Sequence, residues 1–322
     1  MTKTLTLPQT DLTVSQVCLG SSHFGSSISQ SDVFRLLDSF VDHGGNFIDT
    51  ARVYADWLPN GANASERTIG EWQRQRGNRA KIVLATKGAH PDLKTMTVSR
   101  LSPADIAHDI ETSLRYLQTD VIDLYWLHRD DANRPVEDIL ETLNKHVALG
   151  NIRYFGCSNW TVPRIRAALA AAEASHSMGF VANQPMWSLA KPNLEAIGDK
   201  TIVIADDVDI AFHRETGLPL VPFTSQAKGY FSKLAAGRVP PADQKTYDNA
   251  TNRVRFARIR ELSERYHVSV SAIALSYLTS QPFPVVPVIG ASKLAQLEDS
   301  LANSDLVLTP DDLNSLEQVI VQ

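Results

Sequence analysis

Only two cysteines occur in 322 residues, Cys18 and Cys157, and each lies inside a strand-like apolar run. That argues against a disulfide-stapled secreted scaffold, and both read as small buried hydrophobes rather than reactive thiols. No stretch approaches the roughly 18 apolar residues of a membrane span. The start, Met-Thr-Lys-Thr-Leu, carries no apolar core followed by a cleavage site, so the expected location is the cytoplasm. Positive charge is also short: a net charge of −5 gives no electrostatic case for nucleic acid or an anionic membrane surface. No linker rich in Gly, Pro or Ser divides the chain. No Gly-x-Gly-x-x-Gly follows a strand, which weakens an open doubly wound sheet.

What is present is an alternation. Residues Lys3–Leu7 and Leu12–Val14 read as a hairpin, followed by a first buried strand, Val17–Leu19. Ser31 is the expected cap of a helix carrying Val33, Phe34, Leu37, Phe40 and Val41 at helical spacing. Further strands are expected at Asn46–Ile48, Lys81–Thr86, Val121–Leu127, Ile152–Cys157, Phe180–Asn183, Leu220–Phe223 and Val285–Ile289, with helices between them. Gly88–Leu101 and Gly237–Asn252 are the long connections. Eight short apolar runs alternating with helices call for parallel strands covered on both faces, closed as one (β/α)8 barrel over residues 1–322, with an N-terminal hairpin and extra helices after the last strand.

Barrel enzymes keep their chemistry at the carboxyl ends of the strands. There the sequence delivers Asp49 and Tyr54, Lys87, His128, Ser158-Asn159, Gln184, Thr224-Ser225, and Gly290-Ala-Ser-Lys293. Each has a plainer reading taken alone: Asp49 as a loop-capping acid, Lys87 as a solvated rim charge, His128 as a satisfied histidine at a strand end. Together, a Tyr, Lys, Asp and His on adjacent strand ends form a set that makes a phenol acidic. Tyrosine's unperturbed pKa near 10 is high for proton donation, and a close ammonium held by Asp49 shifts it down.

The stretches Phe47-Ile-Asp-Thr-Ala-Arg-Val-Tyr54, Ser65-Glu66 with Ile69-Gly70, Thr86-Lys87, Asp123-Leu-Tyr-Trp-Leu-His128, Gly150-Asn-Ile-Arg-Tyr-Phe-Gly-Cys-Ser-Asn159, Asn183-Gln184 and Gly290-Ala-Ser-Lys293 resemble those of the aldo-keto reductases, in order and over nearly the whole chain. The resemblance implies an NADPH-dependent barrel that reduces a small-molecule aldehyde or ketone. In it Tyr54 is the general acid, Asp49 and Lys87 tune it, and His128 orients the substrate carbonyl. It further implies that Ser158, Asn159 and Gln184 hydrogen-bond the nicotinamide carboxamide and that Trp187 stacks on the ring. Thr224 and Ser225 fall in the loop over the pyrophosphate, where the family commonly has Ser-Pro. Gly290, Ser292, Lys293, Gln296 and Asp299 match the adenosine end, and no metal is implied.

NADP(H) is expected rather than NAD(H), because Lys293 at a helix start adds its charge to the positive end of the dipole near a 2′-phosphate. A more open pocket walled by Trp57, the Gly88–Leu101 loop and Trp160 is expected, and the long C-terminal loop of steroid-type members is expected to be absent. A redox-sensing regulatory subunit on the same fold is the other reading, because fold alone does not decide function. Oligomeric state is left open.

Overall fold

The computed structural model describes residues 2–318. An antiparallel hairpin, β1 (Thr4–Thr6) and β2 (Thr13–Ser15), precedes the alternating units. These run β3 (Cys18–Gly20), α1 (Gln30–Asp42), β4 (Phe47–Asp49), α2 (Ala64–Arg76), β5 (Val83–Gly88), α3 (Pro103–Leu117), β6 (Ile122–Leu127), α4 (Val136–Ala148), β7 (Ile152–Ser158), α5 (Val162–Ala174) and β8 (Asn183–Gln184). After β8 come α6 (Asp207–Thr216), α7 (Tyr230–Ala235), α8 (Pro241–Tyr247), α9 (Ala250–Tyr266), α10 (Val270–Thr279), β9 (Val288–Ile289), α11 (Leu294–Ala302) and α12 (Pro310–Glu317).

The strands β3 to β9 are parallel and ordered β8-β7-β6-β5-β4-β3-β9. The expected strand at Leu220–Phe223 is instead a stave held by single bridges. Val221 N–H donates to Asn183 O (2.8 Å), and Leu220 O and Pro222 O accept from Val286 (2.8 Å) and Val288 (2.9 Å). Pro219, Pro222, Pro284 and Pro287 supply no N–H there, which keeps these staves too irregular for a full ladder. The ring nonetheless closes, and the fold is the (β/α)8 barrel.

Period-two alternation explains where the polar residues end up. Phe47, Ala85, Trp126, Ala182 and Val288 all belong to the apolar cluster that also takes in the hairpin residues Leu7, Leu12 and Val14. Two residues further along the same strands come Asp49, Lys87, His128, Gln184 and Gly290. The lower layers of the interior are therefore apolar, and the uppermost layer carries the chemistry. Residues of alternate parity, among them Leu19, Ile48, Leu84, Tyr125 and Phe155, pack with α1 to α5 in a second cluster outside the sheet.

Several boundaries differ from expectation. The cap of α1 is Ser29, whose hydroxyl accepts from Asp32 N–H, so the helix begins two residues before Ser31 allows. Lys87 and Ser158 end within their strands rather than beyond them, and strand pairing at 180–183 is confined to its last residue and continues to Gln184. The connection at 237–252 holds α8, opened by Pro241 at its first turn.

Candidate active site

Lys87 organises the proton-handling groups. It is 2% exposed, it is ion-paired with Asp49 Oδ2, and its Nζ donates to Thr50 O (2.8 Å) and to Tyr54 Oη (3.1 Å). An ammonium has three donors and no acceptor, so all three are committed and Tyr54 Oη acts as acceptor toward Lys87. The phenol hydrogen is then free to point elsewhere. Tyr54 is placed by the loop after β4: Arg52 N–H donates to Lys87 O (3.0 Å), Tyr54 N–H to Ala51 O (3.1 Å), and Ala55 takes φ +75°. Gln184 Nε2 reaches the other oxygen of Asp49 (3.2 Å).

Burial pushes the Tyr54 phenol above its ordinary value, and the Lys87 ammonium only partly offsets this. The expectation of a net downward shift is thus corrected: desolvation of the tyrosinate outweighs one neighbouring cation. Burial alone would lower Lys87, but Asp49 and Tyr54 hold it above the usual lysine value. His128 is driven well below the histidine range by burial and then by its neighbours His90, Arg129 and Lys87. Its ring stands edge-on to Tyr54 with centroids 6.1 Å apart, and its Nδ1 is buried without a partner.

On the next strands Ser158 Oγ donates to Gln184 O (2.7 Å), and Asn159 Nδ2 donates to His128 O (3.1 Å) and Ser158 Oγ (3.0 Å). Of the three side chains expected at a carboxamide, Asn159 has both donors engaged, whereas Gln184 Oε1 is buried and unpaired. Trp187 packs against Tyr277 (5.7 Å) at the edge of a cluster built by α7, α9, α10 and α12. The loop after the seventh stave is unusual in its backbone. Thr224, Ala227, Lys228 and Gly229 all have positive φ, Ser225 Oγ is tied to Val288 O (2.6 Å), and Gln226 bridges Ser271 and Ser300. At the start of α11, Gln296 Oε1 accepts from Ser292 N–H (2.9 Å), Ser292 Oγ (3.0 Å) and Lys293 N–H (3.2 Å), leaving the Lys293 side chain exposed and Asp299 half-buried further along the helix. Nothing occupies the space a Cβ would fill at Gly290.

A family model described as the aldo/keto reductase family matches residues 16–321. The chain belongs to the aldo/keto reductase family. It is 30% identical over 320 residues to an uncharacterized oxidoreductase of Bacillus subtilis, covering 97% of this chain and 94% of that protein. It is 29% identical to a norsolorinic acid reductase of Emericella nidulans (97% and 80% covered). It is 28% identical to a protein of Phanerodontia chrysosporium named aryl-alcohol dehydrogenase [NADP(+)] (97% and 84%). As an aldo/keto reductase it is an enzyme of carbonyl and alcohol groups.

Three features of this aldo/keto reductase site escaped sequence reasoning. His90 lies in the Gly88–Leu101 loop, where only position relative to Lys87 could have flagged it, and its ring centroid is 4.7 Å from that of His128. Arg129 is buried and spreads its guanidinium over Thr201 (2.7 Å), His128 O (2.8 Å) and Asp199 (2.8 Å). The run of positive φ at 227–229 was signalled only by Lys228-Gly229, and in it Ala227 and Gly229 N–H turn back onto Thr224 O (2.8 Å) and Gln226 O (2.7 Å). Trp160, expected as a pocket wall, is instead wholly buried against Phe180 with its indole N–H on Arg129 O (3.3 Å); Trp57 is 51% exposed.

Proposed function

We propose that this aldo/keto reductase interconverts a carbonyl compound and its alcohol with NADP(H), Tyr54 passing the proton. The observation that carries this reading is the committed Lys87 ammonium. It can only donate to Tyr54 Oη, so the phenol O–H is left to donate to a substrate oxygen. When bound, the nicotinamide supplies the hydride. Tyr54 remains protonated at neutral pH yet is a far stronger acid than the product alcohol, so it gives its proton to the alkoxide that develops on the substrate. The tyrosinate formed by proton transfer faces Lys87 at 3.1 Å, a charge pair that was not present before the step. Asp49 holds Lys87 in place. His128, neutral, has one N–H to share with the same substrate oxygen.

The residues present fit the cofactor. Gln184 Oε1 is a buried acceptor lacking a donor, which suits a carboxamide NH2. The exposed Lys228 and Lys293 side chains, one in the loop after the seventh stave and one at the start of α11, supply the cations that a pyrophosphate and a 2′-phosphate call for. That one relative is named for NADP(+) supports the choice. Tyr54→Phe tests the assignment: it keeps the ring and removes the proton donor, so kcat for an aryl aldehyde should fall by about 10²–10⁴ while NADPH affinity holds. Near wild-type turnover would remove Tyr54 from the role.

A further inference from the structure

Tyr54 and His128 account for one substrate oxygen, and a third ring beside them is left over. His90 follows β5, is 6% exposed, and packs edge-on against His128 at an interplanar angle of 69°. Its Nδ1 lies 2.7 Å from Pro91 O. A carbonyl oxygen only accepts, so this contact is attractive only when Nδ1 carries a proton. Burial, with the Arg129 guanidinium next, pushes the imidazole down to about 4, so at neutral pH the ring has a single proton and Nδ1 has it. Nε2 is then a bare acceptor, and none of the described residues donates to it. Nδ1 is spent on the backbone, while Nε2 is not among the fully buried atoms and keeps an opening onto the site. Arg129, beside His128, is committed to Thr201 and Asp199 and offers little to a substrate carboxylate.

We propose that His90 is a specificity residue whose Nε2 accepts a hydrogen bond from a hydroxyl on the substrate, roughly three or four bonds from the carbonyl carbon. Hydroxyaryl and hydroxyalkyl aldehydes and ketones are then the favoured class. This rests on the carbonyl-reducing reading above, and the test separates the two. Steady-state kcat/KM is measured with NADPH for benzaldehyde, 3-hydroxybenzaldehyde and 3-methoxybenzaldehyde, using wild type, His90→Phe and His90→Gln. The wild type should prefer the hydroxyl over the methoxyl compound by about tenfold, the worth of one hydrogen bond. His90→Phe should bring that ratio close to one, and His90→Gln, whose Oε1 stands near the place of Nε2, should restore part of it. A wild-type ratio near one, or a ratio unchanged in His90→Phe, overturns the proposal while leaving carbonyl reduction standing. No turnover of any of the three aldehydes by wild type overturns both.

Discussion

Glu66 has no exposed surface, and its carboxyl accepts from Thr86 Oγ1 (2.6 Å) at one oxygen while the other is unpaired. Burial raises it from the ordinary 4.5 to about 7, with the nearby Ser113 and Thr86 hydroxyls pulling the other way. The sign follows from linkage. Between 4.5 and about 7 the folded chain holds a proton that the unfolded chain has released, so stability falls as pH rises through that window and stays low above it. The gap is worth roughly 3 kcal/mol at most. Glu66→Gln keeps an acceptor for Thr86 and abolishes the titration. It should therefore melt above wild type at pH 8 and match it near pH 4.5, and an equal difference at both values in thermal melts would sink the account.

At the scale of elements, α3 works as a clamp on two loops of the site. The fully buried Asp109 accepts from Ala89 N–H (2.8 Å) and from Arg100 at both oxygens (2.8 and 2.9 Å), and it lies 3.2 Å from Arg52 Nε. It thus ties both ends of the loop that carries His90 to the loop that carries Tyr54. Gly88 is required below it, since a Cβ there would run into Tyr125 Oη and Asp109 Cβ. Asp109→Asn takes one carboxylate from two guanidinium groups that keep only longer pairs, Arg52 with Asp56 (3.6 Å) and Arg100 with Asp105 (3.5 Å), at a cost of about 1–3 kcal/mol, so the urea midpoint should drop. An unchanged midpoint would make the clamp ornamental. At the start of α11, Lys293→Ala should weaken NADPH by roughly 10- to 100-fold and leave NADH nearly untouched, as read by quenching of tryptophan fluorescence. Equal losses would take Lys293 away from the phosphate. Much of this site was legible because strand parity alone carries Asp49, Lys87, His128 and Gln184 to one layer. What was not legible depends on distance rather than order. Ser29 and Ser31 are both plausible caps until the backbone chooses, the proline-flanked staves have strand composition without strand pairing, and Trp160 could be sorted from Trp57 only by burial. The direction of the Tyr54 shift needed the depth of the phenol as well as its neighbour.

For the whole molecule, the feature with the widest reach is the hairpin. Leu7, Leu12 and Val14 pack onto the lower interior layers, and Ser15 and Asn46 exchange hydrogen bonds (2.6 and 3.1 Å) just before β4 begins. The amino-terminal end of the barrel is stoppered by its own chain. Beneath the chemistry the interior is filled with side chains, so the site has one doorway, at the opposite rim. Two molecules that must meet inside share that doorway. Gln184 has no exposed surface whereas Tyr54 keeps some, so the molecule that partners Gln184 should arrive first and depart last. The barrel's cork thereby dictates a queue: NADP⁺ should inhibit competitively against NADPH, and the alcohol product should not compete with NADPH. Competition between the alcohol and NADPH would mean that the order of arrival is free.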